Sequence, residues 1–141
     1  MFSKSCKYGI RATLYLAVNT KDGKKIGVKE IAKKLNVPKH FLAKILQELS
    51  RHNLISSTKG PKGGFYLNDE NLQQPLLKIV ESIDGLQFMT SCILGLPVCS
   101  STHPCPLHFK AKAYRDRLIE VLSGQSIEAL ANNVEIENLT L

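Results

Sequence analysis

The chain has 141 residues, 43% of them hydrophobic and 22% charged, which supplies a core without disulfide staples and excludes a disordered or fibrous chain. No apolar run nears the roughly 20 residues that cross a bilayer, and Lys4, Lys7 and Arg11 interrupt the start where a signal peptide would be apolar, so a cytoplasmic globular protein with no membrane partner is expected. The net charge of +7 is unevenly held: residues 1–68 carry 14 Lys/Arg against 3 Asp/Glu, and residues 69–141 carry 5 against 9, so the first half reads as the footprint of a polyanion.

The first predicted element is a helix over about Ser3 to Thr20, where Tyr8, Ala12, Tyr15 and Leu16 form an apolar stripe flanked by Ile10, Leu14, Ala17 and Val18. A short helix follows from Val28 to Leu35, with Ile31, Ala32 and Leu35 inside and Lys29, Lys33 and Lys34 outside. After the turn Asn36-Val37-Pro38, a third helix runs from Lys39 to about His52, with Phe41, Leu42, Ile45, Leu46 and Leu49 facing inward. Leu54 to Ser57, the Gly-rich basic tip Thr58 to Gly64, and Phe65 to Leu67 then read as a β-hairpin. Helix, helix, helix and hairpin in this order predict a mainly α winged helix-turn-helix domain over residues 1–70.

Beyond Asn71, Leu76, Ile79, Val80 and Ile83 mark a short amphipathic helix that stops at Asp84-Gly85. Residues 86–106 show no periodicity and are expected to be a long functional loop without secondary structure. A last long helix, Leu107 to Leu122, aligns Ala111, Tyr114, Leu118, Ile119 and Leu122, and Ser126 caps a closing helix over Ile127 to Ala131. The long helix is read as a dimerisation helix, or as one that folds back on its own domain. Residues 71–141 thus divide into a sensor loop and dimerisation helices.

The basic residues fall on the third helix and the hairpin tip, which points to double-stranded DNA. Lys39, His40 and Lys44 are candidates to reach bases or phosphates in the major groove, Lys59 and Lys62 to grip flanking backbone or minor groove, and Arg51 is either a phosphate contact or plain surface. Winged helices also serve as protein-interaction modules, in which case these lysines are only solubilising charges.

Cys92, Cys99 and Cys105 are spaced C-x6-C-x5-C, with His108 at C-x2-H, among Gly, Ser and Pro residues that let thiolates converge. Three soft thiolates and an imidazole can hold zinc or an iron–sulfur cluster, and the wide spacing suits the larger cluster. His103 could ligate in place of His108, and unliganded thiols are the plain alternative. Cys6 lies among inward-facing neighbours as a small buried hydrophobe. No nucleophile–base–orienter set, phosphate-binding glycine loop or paired carboxylate motif is present, so an enzyme is not expected.

Taken together, Lys7-Tyr8-Gly9-Ile10-Arg11-Ala12, Ile31-Ala32-Lys33-Lys34-Leu35 with Leu42 and Ile45-Leu46, the stretch Ser57 to Phe65, and the cysteine loop leading into Cys105-Pro106-Leu107-His108 resemble the dimeric bacterial winged-helix regulators that include IscR, NsrR and CymR. The resemblance covers nearly the whole chain. It implies a homodimer on a palindromic promoter site, controlled by an iron–sulfur cluster, [2Fe–2S] or [4Fe–4S], that aerobic preparation can strip. It also implies Cys92, Cys99 and Cys105 as cluster cysteines and His108 as the completing histidine of the IscR-like branch. The chain departs from the family in three places: six residues rather than five separate the first two cysteines; Lys7 stands where the nitric-oxide-sensing branch has an acidic ligand, with Cys6 as a neighbouring substitute; and Lys59 stands where the wing often has arginine. The alternative is a regulator of the same fold without a cluster, sensing through its thiols or a protein partner.

Overall fold

The computed structural model describes residues 1–139. Helix α1 (Lys4–Asn19) opens on Ser3, whose hydroxyl accepts from the Cys6 N–H at 3.0 Å, and it runs through the centre of the core, packed against four later helices. Gly9 makes that close approach possible, since a Cβ there would sit 2.4 Å from Cδ1 of Ile83. Helix α2 (Val28–Leu35) ends on Asn36 in the left-handed conformation, and α3 (Lys39–Arg51) starts after Pro38. Leu16, Ile31, Leu35, Leu42, Leu46 and Leu49 are fully buried and lock the three helices together.

Strands β1 (Ser56–Thr58) and β2 (Gly64–Tyr66) form the antiparallel wing, pairing Ser56 with Tyr66 and Thr58 with Gly64. The ladder begins later than expected because Leu54 and Ile55 are core residues and enter the domain before the strands pair. Ile26 adds a further rung by exchanging hydrogen bonds with Phe65 at 2.9 and 2.8 Å. Gly64 is needed there: at φ +147° its Cα passes so close to Ile26 that a Cβ would lie 2.8 Å from that backbone.

Helix α4 (Asp69–Gln73), a turn that periodicity does not reveal, is held by a reciprocal capping box between Asn68 and Asn71. Helix α5 (Leu76–Asp84) carries Ile79 and Val80 into the core. The expectation of an unstructured stretch over residues 86–106 is corrected at its start by α6 (Gln87–Thr90), a single turn fixed by burial of Met89 and by Phe88 meeting Phe2 edge-on at 6.0 Å. Helix α7 (His108–Ser123) and α8 (Ile127–Asn133) follow, then a 3₁₀ turn, Ile136–Leu139. Helix α8 and the 3₁₀ turn pack back onto α1, and the half-buried Arg11 donates to Leu35 O at 2.8 Å and to Leu139 O, tying the end of α2 to the closing turn.

Candidate metal centre and nucleic-acid interface

The segment between α6 and α7 folds back on itself in two tight turns. Gly95, at φ +70°, donates its N–H to Cys92 O at 2.9 Å, and Ser100 and His103 exchange backbone hydrogen bonds at 3.2 and 3.1 Å. These turns bring residues 13 apart together: the sulfurs of Cys92, Cys99 and Cys105 all lie within 4.8 Å of one another. Cys92 Sγ and Cys105 Sγ are 3.7 Å apart, close to the roughly 3.8 Å edge between two thiolates bound to one tetrahedral ion at about 2.3 Å.

His108, buried in the first turn of α7, points Nδ1 at Cys99 Sγ from 3.2 Å and Nε2 at Ser101 Oγ from 3.5 Å. The structure therefore gathers Cys92, Cys99 and Cys105, with His108 against Cys99 at the edge of the group. His103 stays exposed, its Nδ1 against the Thr102 hydroxyl. Cys6 belongs to a separate apolar cluster with Val80, Met89 and Leu122; burial pushes its thiol up to about 12, helped by the charge of Asp84 and a hydrogen bond to it.

Cys92 and Cys99 differ in ionisation. The Leu96 N–H, aided by that of Leu94 and by the Cys99 and Cys105 thiols, brings Cys92 down to about 7 against partial desolvation. Cys99 moves the other way: the Cys105 N–H lowers it, but desolvation and the neighbouring sulfurs outweigh that effect. Cys92 thus gives up its proton more readily than Cys99, towards the thiolate form that binds metal. Three soft thiols and one imidazole make four donors, the number that a tetrahedral ion or a small iron–sulfur centre takes, so the residues fit such a group.

Away from the cysteine loop in sequence, the outer stripe of α3 presents Lys39, His40, Lys44, Gln47 and Arg51 to solvent, and Lys59 and Lys62 stand exposed on the wing. Between helix and wing lies a cleft of about 530 Å³ lined by Gln47, Ser50, Arg51, Thr58 and Lys59 among others. Gln47 and Ser50 carry no charge, and nothing in the sequence singles them out, because the helix face and the hairpin are not seen to meet there. The Ser50 and Ser57 hydroxyls join across the cleft at 3.1 Å, and Arg51 pairs with Glu48. Phe41, expected inside, is 39% exposed at the edge of this stripe, with the Tyr8 ring against it.

A sequence profile for the Rrf2 family, described as iron-dependent transcriptional regulators, matches residues 2–133. A chain of Aquifex aeolicus assigned as an HTH-type transcriptional regulator is 33% identical over 134 residues, spanning 94% of this chain and 92% of that one. The HTH-type transcriptional regulator IscR of Photorhabdus laumondii is 25% identical over 130 residues, 92% of this chain and 78% of the relative. Among solved structures, CymR, the global cysteine regulator of B. subtilis, superposes with a TM-score of 0.76 at 24% identity over 96% of this chain and 98% of the other. That likeness shows the winged-helix fold, and the sequence relatives are transcriptional regulators, not enzymes.

Proposed function

The chain belongs to the Rrf2 family of transcriptional regulators, and from that membership we propose that it is a homodimer that binds a palindromic promoter site under the control of an iron–sulfur cluster carried by Cys92, Cys99, Cys105 and His108. The observation that carries the reading is the convergence of three sulfurs within 4.8 Å, with the His108 imidazole 3.2 Å from Cys99. When bound, such a cluster supplies a redox-sensitive crosslink among the four side chains. The chain's own part is mechanical. Cys92 follows α6, which is seated on α1 through Phe88 and Met89, and His108 begins α7. Holding these four residues together fixes α7 against the winged half, and a switch follows only if one arrangement of the two favours DNA.

In this reading α3 enters the major groove with Lys39, His40 and Lys44 at its N-terminal half, while Lys59 and Lys62 meet flanking phosphates or the minor groove. Arg51, already paired with Glu48, is a weaker phosphate contact.

The deciding measurement is the absorption spectrum, iron content and acid-labile sulfide of anaerobically purified protein, repeated on Cys99→Ala. A visible sulfur-to-iron charge-transfer band that disappears in the variant supports the reading. Colourless, iron-free protein after anaerobic reconstitution overturns cluster control and leaves the regulator to sense through its thiols or a partner.

A further inference from the structure

The outer face of α3 is mostly polar and basic, and Phe41 is the one large apolar side chain exposed on this helix. Phe41 sits in the first turn, the part of a recognition helix that meets base edges, and 39% of it is open to solvent. It lies one residue from His40 and about 60° around the helix from Lys44, both exposed. On its inner side the ring is braced: Tyr8, only 5% exposed, meets it at 5.6 Å with the planes at 87°. An edge-to-face contact of this kind fixes the ring's orientation as well as burying it. Tyr8 is itself flanked by cations, with Lys4 Nζ 5.8 Å and the Arg11 guanidinium 5.6 Å from its centre. Phe41 is therefore a rigid apolar edge inside a cationic surface that would be pressed against a polyanion.

We infer that Phe41 is a specificity residue whose exposed edge packs on the C5-methyl group of a thymine in the major groove, next to the base or phosphate contacts of His40 and Lys44. The inference rests on the reading of α3 as the DNA-recognition helix. Of the groups a base pair presents in the major groove, the thymine methyl alone is apolar, and phenylalanine is among the side chains that read it. A hydrated cytosine amine or guanine edge at the same place would be desolvated by the ring without a hydrogen bond in return. The preference is thus for thymine and against the other bases at one position of each half-site.

The test begins with the wild-type chain and a random pool of double-stranded DNA, from which the tightest duplex is recovered and rebuilt with each thymine replaced in turn by uracil. Removing one methyl from an apolar contact should weaken wild-type binding about three- to fourfold at one thymine per half-site, and Phe41→Ala should bind the thymine and uracil duplexes equally. If no thymine is sensitive, or the loss is the same in Phe41→Ala, the inference is overturned. Should Phe41→Ala fail to fold, wild type suffices: 5-iodouracil at the sensitive thymine, irradiated in the complex, should crosslink to Phe41 as located by fragmentation mass spectrometry. A crosslink to any other residue counts against the assignment. A wild-type protein that enriches no duplex overturns the DNA-binding reading itself, a result distinct from tight binding that ignores the methyl.

Discussion

Cys6 and Cys105 are both buried cysteines, yet their surroundings give them different chemistry. Cys6 is sealed between α1 and α5 with its thiol pushed up to about 12, so it stays protonated and inert across the physiological range. Cys105 shares its site with two other sulfurs. Native, metal-free protein treated with iodoacetamide at pH 8 should therefore be alkylated in the loop, first at Cys92, while Cys6 reacts only after unfolding, as peptide mass mapping would show. Native labelling of Cys6 would mean that the α1–α5 seam opens readily. The two histidines divide in the same way. His108→Ala should lower the iron retained by anaerobically prepared protein by at least about half, whereas His103→Ala should leave it unchanged; the reverse result would move the fourth donor to His103.

The helices were legible wherever an apolar stripe of helical period faced a core: α1, α2, α3, α5 and α8 all lie within two residues of their expected bounds. The elements that sequence did not reveal are held by something other than periodicity. α4 depends on two asparagine side chains, and α6 on where Phe88 and Met89 happen to dock. The convergence of Cys92, Cys99 and Cys105 could be anticipated from spacing, but that His108 rather than His103 lies against Cys99 depends on turns at Gly95 and Ser100 that spacing does not specify. Asn71 illustrates the cost of what is hidden. Buried at 3% exposure, it accepts from Ser56 Oγ at 2.7 Å and from Asn68 N–H at 2.9 Å, and donates to Asn53 O at 2.9 Å, so one side chain ties the wing to the end of α3 and to α4. Asn71→Ala leaves three partners unsatisfied and should cost about 2–3 kcal/mol in denaturant unfolding. At the tip of the same wing, Lys62→Ala should leave stability unchanged and reduce the slope of log affinity against log salt by about one. An unchanged slope would show that the wing tip does not touch phosphate.

The molecule as a whole separates a basic winged half from an acidic remainder, and α7 shows how the second half is divided. The stripe expected to face a partner is largely consumed internally: Ala111 and Leu122 are buried, and Leu118 and Ile119 pack on the cluster around Val80. Of that stripe Tyr114 stays outside, at 61% exposure, and with it stands Val121 at 49%, two turns further along the same side of the helix; Phe109, at 62%, is exposed nearer its start. A helix that uses one face to hold its own domain and offers another to solvent suits a symmetric pairing of α7 with its copy, in which Tyr114 and Val121 are covered twice, once from each protomer. Val121→Glu places a charge in that seam without touching the residues packed inside, so it should leave the thermal midpoint of the isolated fold nearly intact. By light scattering the wild type should weigh about twice the 15.7 kDa of one chain and the variant about half as much. Affinity for a two-half-site duplex should then fall by about a hundredfold or more, because the second half-site is no longer bound from a tethered partner. Affinity for a single half-site should not change. A variant that remains dimeric would place the partner on another face, with the exposed segment Ile93 to Val98 next to be tested.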